Sequence, residues 1–174
     1  LYAMKISIIT VSYNSETTIK ETINSVSRQE YIDKEHLIID GASKDNTIHI
    51  VKQNSDKNLN VFVEKVKGIY YAMNKGLSLS KGDIIGFLNS DDFYASNNVL
   101  STVAKIFAED PTLEACYSDL VYVTQSDTSK IIRYWKSGTF HNGSFSDGWC
   151  PPHTTFFARR SVYEKYGNFN TNYM

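Results

Sequence analysis

Asn89-Ser90-Asp91-Asp92 is the stretch of this sequence best equipped for chemistry. It directly follows an apolar run, Ile84-Ile85-Gly86-Phe87-Leu88, of the kind that forms a buried strand. Adjacent carboxylates at the carboxyl end of such a strand face the crevice in which open α/β sheets bind ligands. Their hard oxygen donors suit Mg²⁺ or Mn²⁺, and either cation would carry a phosphorylated ligand. The plainer alternative is a turn leading into a helix, since Asn, Ser and Asp favour both. Asp40 ends a second apolar run and is placed to accept hydrogen bonds from a base or ribose; otherwise it caps the turn that follows. Tyr13, Asn14, Asp40, Asp91 and Asp92 all fall at strand ends along one edge, and that coincidence favours a ligand over separate capping roles.

Other candidates are weaker. No Gly-x-Gly-x-x-Gly follows the first strand and no Walker A sequence occurs, so a Gly-rich loop does not hold any phosphate here. Asp119 lies in an apolar run, 117–123, and is expected to be structural or near a sugar. Asp147 and His153 belong to a long loop. A lone loop histidine is first a solvated or structural one, and contact of His153 with a diphosphate or acceptor is the alternative. Trp149 offers either an aromatic platform for a sugar or a packing element.

These residues need elements to position them. Ile6, Ile8, Ile9 and Val11 predict a buried strand over 4–11, followed by a loop and by Ser15 as a helix cap. Ile19, Ile23 and Val26 recur at helical spacing, predicting an amphipathic helix over 16–29. A second strand runs over 36–39, a helix begins near Asp45, and a third strand covers 61–63. Ile69, Ala72, Met73, Gly76 and Leu77 predict a helix over 69–80, ended by Lys81-Gly82 with glycine in the left-handed region. The fourth strand is 84–88; Ser96-Asn97 caps the next helix, which Asp110-Pro111 stops. Beyond 113 the pattern changes to an antiparallel pair, 115–124 and 130–135, then a long loop over 137–153, a strand at 154–158 and a short helix at 159–166. Strands alternating with helices predict an α/β fold with a mostly parallel sheet covered on both faces.

Composition narrows the partners. A formal net charge of −1 over 174 residues argues against nucleic acid. No apolar run is long enough to cross a bilayer, and Leu1-Tyr2-Ala3 runs into a strand without the pattern of a signal peptide. Cys116 and Cys150 form no CxxC pair and are read as reduced thiols of a cytoplasmic protein.

Four motifs in order carry a more specific likeness. Ile38-Ile39-Asp40-Gly41-Ala42-Ser43-Lys44-Asp45-Asn46-Thr47 resembles the Asp-Gly-x-Ser-x-Asp-x-Thr signature of family 2 glycosyltransferases. Thr10-Val11-Ser12-Tyr13-Asn14 resembles that family's opening strand, 68–76 its third helix, and 82–92 the strand bearing its metal motif. The resemblance covers most of 4–170 and implies a GT-A fold in one domain, 4–174, that binds a nucleoside-diphosphate sugar, usually a UDP-sugar. It further implies that Thr10, Tyr13 and Asp40 hold the base and that Asn74 and Lys75 line the nucleotide pocket. By the same likeness, Asn89, Ser90 and Asp91 meet the ribose or donor sugar, while Asp92 ligates Mn²⁺ or Mg²⁺. Transfer in this family inverts the anomeric carbon through an oxocarbenium-like state, with a carboxylate base on the acceptor. The implied acceptor is a cell-surface glycan or a lipid-linked sugar of a bacterium, met by a peripheral enzyme at the cytoplasmic face of the membrane.

The sequence also departs from the pattern. Val66 and Tyr71 stand where related sequences carry acidic residues, although Glu64 remains, read as an exposed strand-end charge. The segments 153–160 and 166–169 resemble those leading to the family's catalytic Asp, which the likeness puts beyond Met174, so the chain is expected to be cut short of its base. The alternatives are a nucleotide-sugar binder without turnover and a sugar nucleotidyltransferase. The latter wants a glycine-rich basic loop after the first strand, and residues 12–18 hold no Gly, Lys or Arg.

Overall fold

The computed structural model describes residues 4–65 and 67–173. Leu1-Tyr2-Ala3, Val66 and Met174 lie outside the described residues, and with them the first of the two departures noted above.

The order of elements is β1 (Ile6–Ser12), α1 (Ile19–Ser27), β2 (Lys34–Asp40), α2 (Thr47–Gln53), β3 (Leu59–Val63), α3 (Ile69–Leu79), β4 (Ile84–Phe87) and α4 (Val99–Glu109). Then come β5 (Ala115–Cys116), β6 (Leu120–Thr124), β7 (Asp127–Trp135), a 3₁₀ turn at His153–Thr155, β8 (Phe157–Arg159) and α5 (Arg160–Tyr166). The main sheet has the order β3-β2-β1-β4-β8-β5. The first four of these strands are parallel, whereas β8 runs antiparallel to both β4 and β5. Strands β6 and β7 form a separate antiparallel ribbon.

Strand alternation sorts the core. Ile6, Ile8 and Ile84 pack with Leu100, Val103 and Phe107 of α4, and Ile38 packs with Ile19, Ile23 and Val51 of α1 and α2. Ile9, Ile39 and Ile85 point the other way, onto Ala72, Met73 and Leu77 of α3, with Tyr163 and Phe169 beside them. Helices therefore cover both faces, and the central strands β1, β2 and β4 are buried nearly throughout. Gly76 permits the closest of these approaches: a Cβ there would overlap Cγ2 of Ile9.

Several boundaries differ from the sequence expectation. Helix α1 starts at Ile19 rather than 16, and Ser15 receives the Thr18 and Ile19 amides on its carbonyl, not its hydroxyl. The residue preceding α4 is Asn98, not Ser96 or Asn97; Ser96 Oγ instead donates to Asn98 Oδ1 at 2.6 Å. Gly82 is not left-handed. It is small because a Cβ would sit 2.5 Å from the Ser7 amide nitrogen, where the α3–β4 turn presses on β1. The expected strand over 115–124 is two pieces: β5 joins the main sheet and β6 leaves it for the ribbon. Asp119 therefore lies in the break between them, where its Oδ1 accepts the Ser137 amide at 2.8 Å.

Candidate functional site

The carboxyl ends of β1, β2 and β4 converge on one edge of the sheet. Ser12, the last residue of β1, pairs in register with Asp40, the last of β2. Ser12 Oγ donates to Asp40 Oδ2 at 2.8 Å, and the Gly41 amide donates to the Ser12 carbonyl at 2.8 Å. Asp40 also accepts the Ser43 amide on Oδ1 and the Ser43 hydroxyl on Oδ2, each at 2.7 Å. The turn-bracing role is thus realised. Asp40 is itself fully buried, so its carboxylate holds the two loops together from beneath the edge.

The two loops after β1 and β2 clasp one another. The Asn14 amide donates to Ser43 Oγ at 2.8 Å, the Lys44 amide donates to Asn14 Oδ1 at 2.9 Å, and the Ser15 amide donates to Thr47 Oγ1 at 2.7 Å. Asn14 (φ 50°) and Ala42 (φ 63°) are the non-glycine residues held in the left-handed region among the described residues. Such conformations cost of order 1 kcal/mol and persist where the surroundings over-determine them, as these loop-to-loop bonds do. Tyr13 stays 58% exposed with its ring edge against Gly41, where a Cβ would approach Tyr13 Cδ2 to 3.2 Å. The result is a rigid rim carrying an open aromatic face.

The loop after β4 is held from beneath by α1. Thr22 Oγ1 donates to the carbonyls of Ser90 (3.0 Å) and Asp92 (2.8 Å), and the hydroxyls of Ser15 and Ser90 bond to each other at 2.8 Å. The Asp92 amide closes the turn onto the Asn89 carbonyl at 3.1 Å. Asn89 Nδ2 donates to Asp92 Oδ2 at 3.1 Å and lies 3.0 Å from His153 Nε2. Burial, and then the neighbouring charge of Asp91, push the Asp92 carboxyl above its ordinary range, against the opposing pull of the Asn89 bond and of His153. Asp91 is exposed and Asp92 half-buried.

A half-buried carboxylate beside a second one is short of positive charge, so the pair fits a divalent cation. Among the described residues there is no group of three or more His, Cys, Asp or Glu side chains able to cage a metal.

Other expected residues stand apart from this cluster. Thr10 is fully buried, with Oγ1 2.9 Å from His36 Nε2, so its side chain supports the floor of the edge and does not open onto a base. Asn74 spends its amide on the C-terminal segment: Nδ2 donates to the Phe169 carbonyl at 2.8 Å and Oδ1 accepts the Phe169 amide at 3.0 Å. Lys75 pairs with Glu64 at 3.2 Å. The Glu64 amide donates to the Asp40 carbonyl at 3.0 Å, so that ion pair does sit at the edge. Trp149 packs among Tyr117, Phe140 and Phe145, and its Nε1 donates to the Ser137 carbonyl at 2.5 Å. Its role is packing within the long loop. Asp147, in the same loop, is exposed. A cavity of about 330 Å³ between α3 and α5, lined by Leu77, Ile85, Arg160 and Tyr163 among others, opens near the amino ends of the strands, away from this chemistry.

The contact of His153 with Asn89 and the support from Thr22 were not foreseen from the sequence. His153 is brought in by β8 pairing with β4 across a long separation in sequence. Thr22 sits on the buried face of α1, where its polarity among Ile19, Ile23 and Val26 was the available signal.

Residues 7–167 match the family model described as "Glycosyl transferase family 2". The chain belongs to this family. Among curated relatives, the Escherichia coli UDP-Glc:alpha-D-GlcNAc-diphosphoundecaprenol beta-1,3-glucosyltransferase WfgD is 40% identical over 95 residues, 54% of this chain and 38% of its own length. The Mycobacterium tuberculosis (strain H37Rv) PGL/p-HBAD biosynthesis glycosyltransferase is 27% identical over 170 residues, 96% of this chain and 64% of its own. The chain thus spans between 38% and 64% of the length of these two relatives.

Solved structures agree on the architecture. The mannosyltransferase PcManGT from Pyrobaculum calidifontis, in complex with GDP-Man and Mn²⁺, superposes with a TM-score of 0.74 at 22% identity, over 98% of this chain and 49% of that one. Staphylococcus aureus TarS 1-349 with UDP-GlcNAc gives 0.69 at 22% identity, over 94% and 47%. This family 2 chain has the GT-A fold, with a mostly parallel central sheet and a small antiparallel one.

Proposed function

We propose that this chain forms the donor-binding part of an inverting glycosyltransferase, which moves a sugar from a nucleoside diphosphate to a glycan or lipid-linked acceptor. The observation that carries the proposal is the Asp91-Asp92 pair beside Asn89 and His153, at the edge where β1 and β2 also end. A UDP-sugar is the favoured donor. The support is that WfgD is named for UDP-Glc and TarS 1-349 binds UDP-GlcNAc, while PcManGT with GDP-Man keeps a guanine donor as the alternative. A lipid-linked acceptor is favoured because WfgD is named for a diphosphoundecaprenol-linked sugar.

In this reading each residue works through its position. Tyr13 offers its exposed ring to the base, and the buried Asp40 braces the Ser43 turn beneath that rim. Asn14 fixes the loop beneath, since its amide and side chain already bond Ser43 and Lys44. Ser90 and Asp91 face ribose and sugar hydroxyls. Asp92 holds Mn²⁺ or Mg²⁺, with Asn89 orienting its carboxylate and His153 adding a donor nearby. A cation there supplies Lewis-acid stabilisation of charge on the departing diphosphate. Lys75, released from Glu64, adds a second positive charge to the same edge.

Calorimetric titration with UDP and with GDP, each with Mn²⁺ and with chelator, tests this reading. The expected result is UDP-selective binding that needs the metal and that Asp92→Ala abolishes while the fold survives. Unchanged Mn²⁺-dependent affinity in Asp92→Ala would remove the metal assignment, and no nucleotide binding by folded protein would remove the proposal. Glycosyl transfer or donor hydrolysis would exclude a binder without turnover.

A further inference from the structure

The β6–β7 ribbon is built unlike the rest of the molecule. Every residue of β7 but the last is exposed, and neither outer edge of the ribbon pairs with another strand among the described residues. A two-stranded ribbon is marginal alone in water, yet this one displays large apolar side chains. Ile131 is 43% exposed, Ile132 62% and Tyr134 65%. Ile132 is the extra residue of a bulge between the Tyr122–Arg133 and Val123–Ile131 pairs, so consecutive isoleucines oppose one partner. The segment 130–136, Lys-Ile-Ile-Arg-Tyr-Trp-Lys, holds three cations and no acid in a chain of net charge −1. None of Lys130, Arg133 and Lys136 belongs to an ion pair among the described residues. Arg133 lies over the Tyr122 ring, 5.4 Å from its centroid.

The topology sets where this ribbon stands. Strand β5 runs antiparallel to β8, which runs antiparallel to β4, so β5 points toward the same edge as the Asp91-Asp92 loop. The ribbon leaves the sheet there. Its base is fastened by Ser137 Oγ donating to the Ser118 carbonyl at 2.6 Å and by Thr155 Oγ1 donating to the same carbonyl at 2.8 Å. Thr155 shares a 3₁₀ turn with His153. Ribbon and candidate site are thus tied to one short segment.

We propose that the β6–β7 ribbon docks this protein on an anionic lipid bilayer, with Ile131, Ile132 and Tyr134 entering the interface and Lys130 and Lys136 meeting acidic headgroups. Tyrosine favours the boundary between hydrocarbon and water, and long cationic side chains reach from an apolar surface to the headgroups. Each cation near an anionic leaflet contributes on the order of fivefold in affinity. Charge decides against a second copy of this chain as the occupant. Pairing two exposed β7 edges would bring like charges side by side. The purpose of the surface rests on the reading of a lipid-linked acceptor above, because docking at this edge would bring that acceptor to the donor site.

Co-sedimentation with phosphatidylglycerol–phosphatidylethanolamine vesicles, against pure phosphatidylcholine vesicles, tests the proposal on this chain without any nucleotide. Binding is expected to the anionic vesicles, and to weaken with salt. Lys130→Glu with Lys136→Glu should lower affinity at least tenfold, and so should Ile132→Ser with Tyr134→Ser, both at unchanged melting temperature. No binding, equal binding to both vesicle types, or variants that bind like wild type would overturn the proposal. So would a dimer, seen by sedimentation velocity, that the Ile132→Ser and Tyr134→Ser changes dissociate. Vesicle binding needs no donor, so its failure leaves the transferase reading standing, and failed UDP binding leaves the docking surface standing.

Discussion

Replacing Asn74 by Ala separates two roles for one side chain. The family likeness puts Asn74 in the wall of the nucleotide pocket, whereas both ends of its amide bond the backbone of Phe169, 95 residues away. The two bonds, 2.8 and 3.0 Å long, are half-buried. Each contributes roughly 0.5–1.5 kcal/mol net, so their joint loss costs about 2 kcal/mol. For a chain of this size that lowers the melting temperature by about 4–8 °C. The Phe169 ring should loosen as well. Its centroid is 5.9 Å from that of Tyr70, 5.2 Å from Phe87 and 6.1 Å from Tyr163, and this cluster seals α3 against the C-terminal segment. The assay is thermal unfolding by circular dichroism alongside calorimetric UDP binding. Asn74→Ala should melt lower while its UDP affinity below the transition stays within about twofold of wild type, and Phe169→Ala should melt lower still. An unchanged melting temperature with a tenfold loss of UDP affinity would refute the positioning role and restore the nucleotide contact.

Two further outcomes follow from the core. Burial lowers the His36 pKa to about 4, so the folded protein keeps the imidazole neutral while the unfolded chain protonates near 6.5. The folded pKa lies below the unfolded one. The stability is therefore complete above pH 6.5 and drains as pH falls toward 4, by about 3 kcal/mol in all. His36→Gln should flatten that window in urea melts taken at stepped pH; an unchanged slope would mean that His36 is not its source. Gly76→Ala forces a methyl into Ile9, which should cost roughly 1–3 kcal/mol from overpacking despite the better helix propensity of alanine. A raised melting temperature would show that α3 and β1 have room to part.

The central sheet and its helices were legible in the sequence because their signals are local and redundant. Ile6, Ile8 and Ile9 declare β1, and Ile69 to Leu77 declares α3, through periodicity that tertiary context only reinforces. The carboxylate edge was legible for the same reason: parallel strands separated by helices must end together, so Ser12, Asp40 and the loop after β4 had to converge. The sequence by itself thus determined the fold class, the edge and the residue types on it. Partners across long separations were decided only by the tertiary structure. Asn74 reads as a pocket residue until Phe169 folds onto it, and Thr10 as a base contact until His36 fills the space beside it. His153 reads as a loop histidine until β8 pairs with β4 and carries it to Asn89. A polar side chain at an ambiguous position satisfies whichever partner packing supplies, and no spacing along the chain encodes that choice.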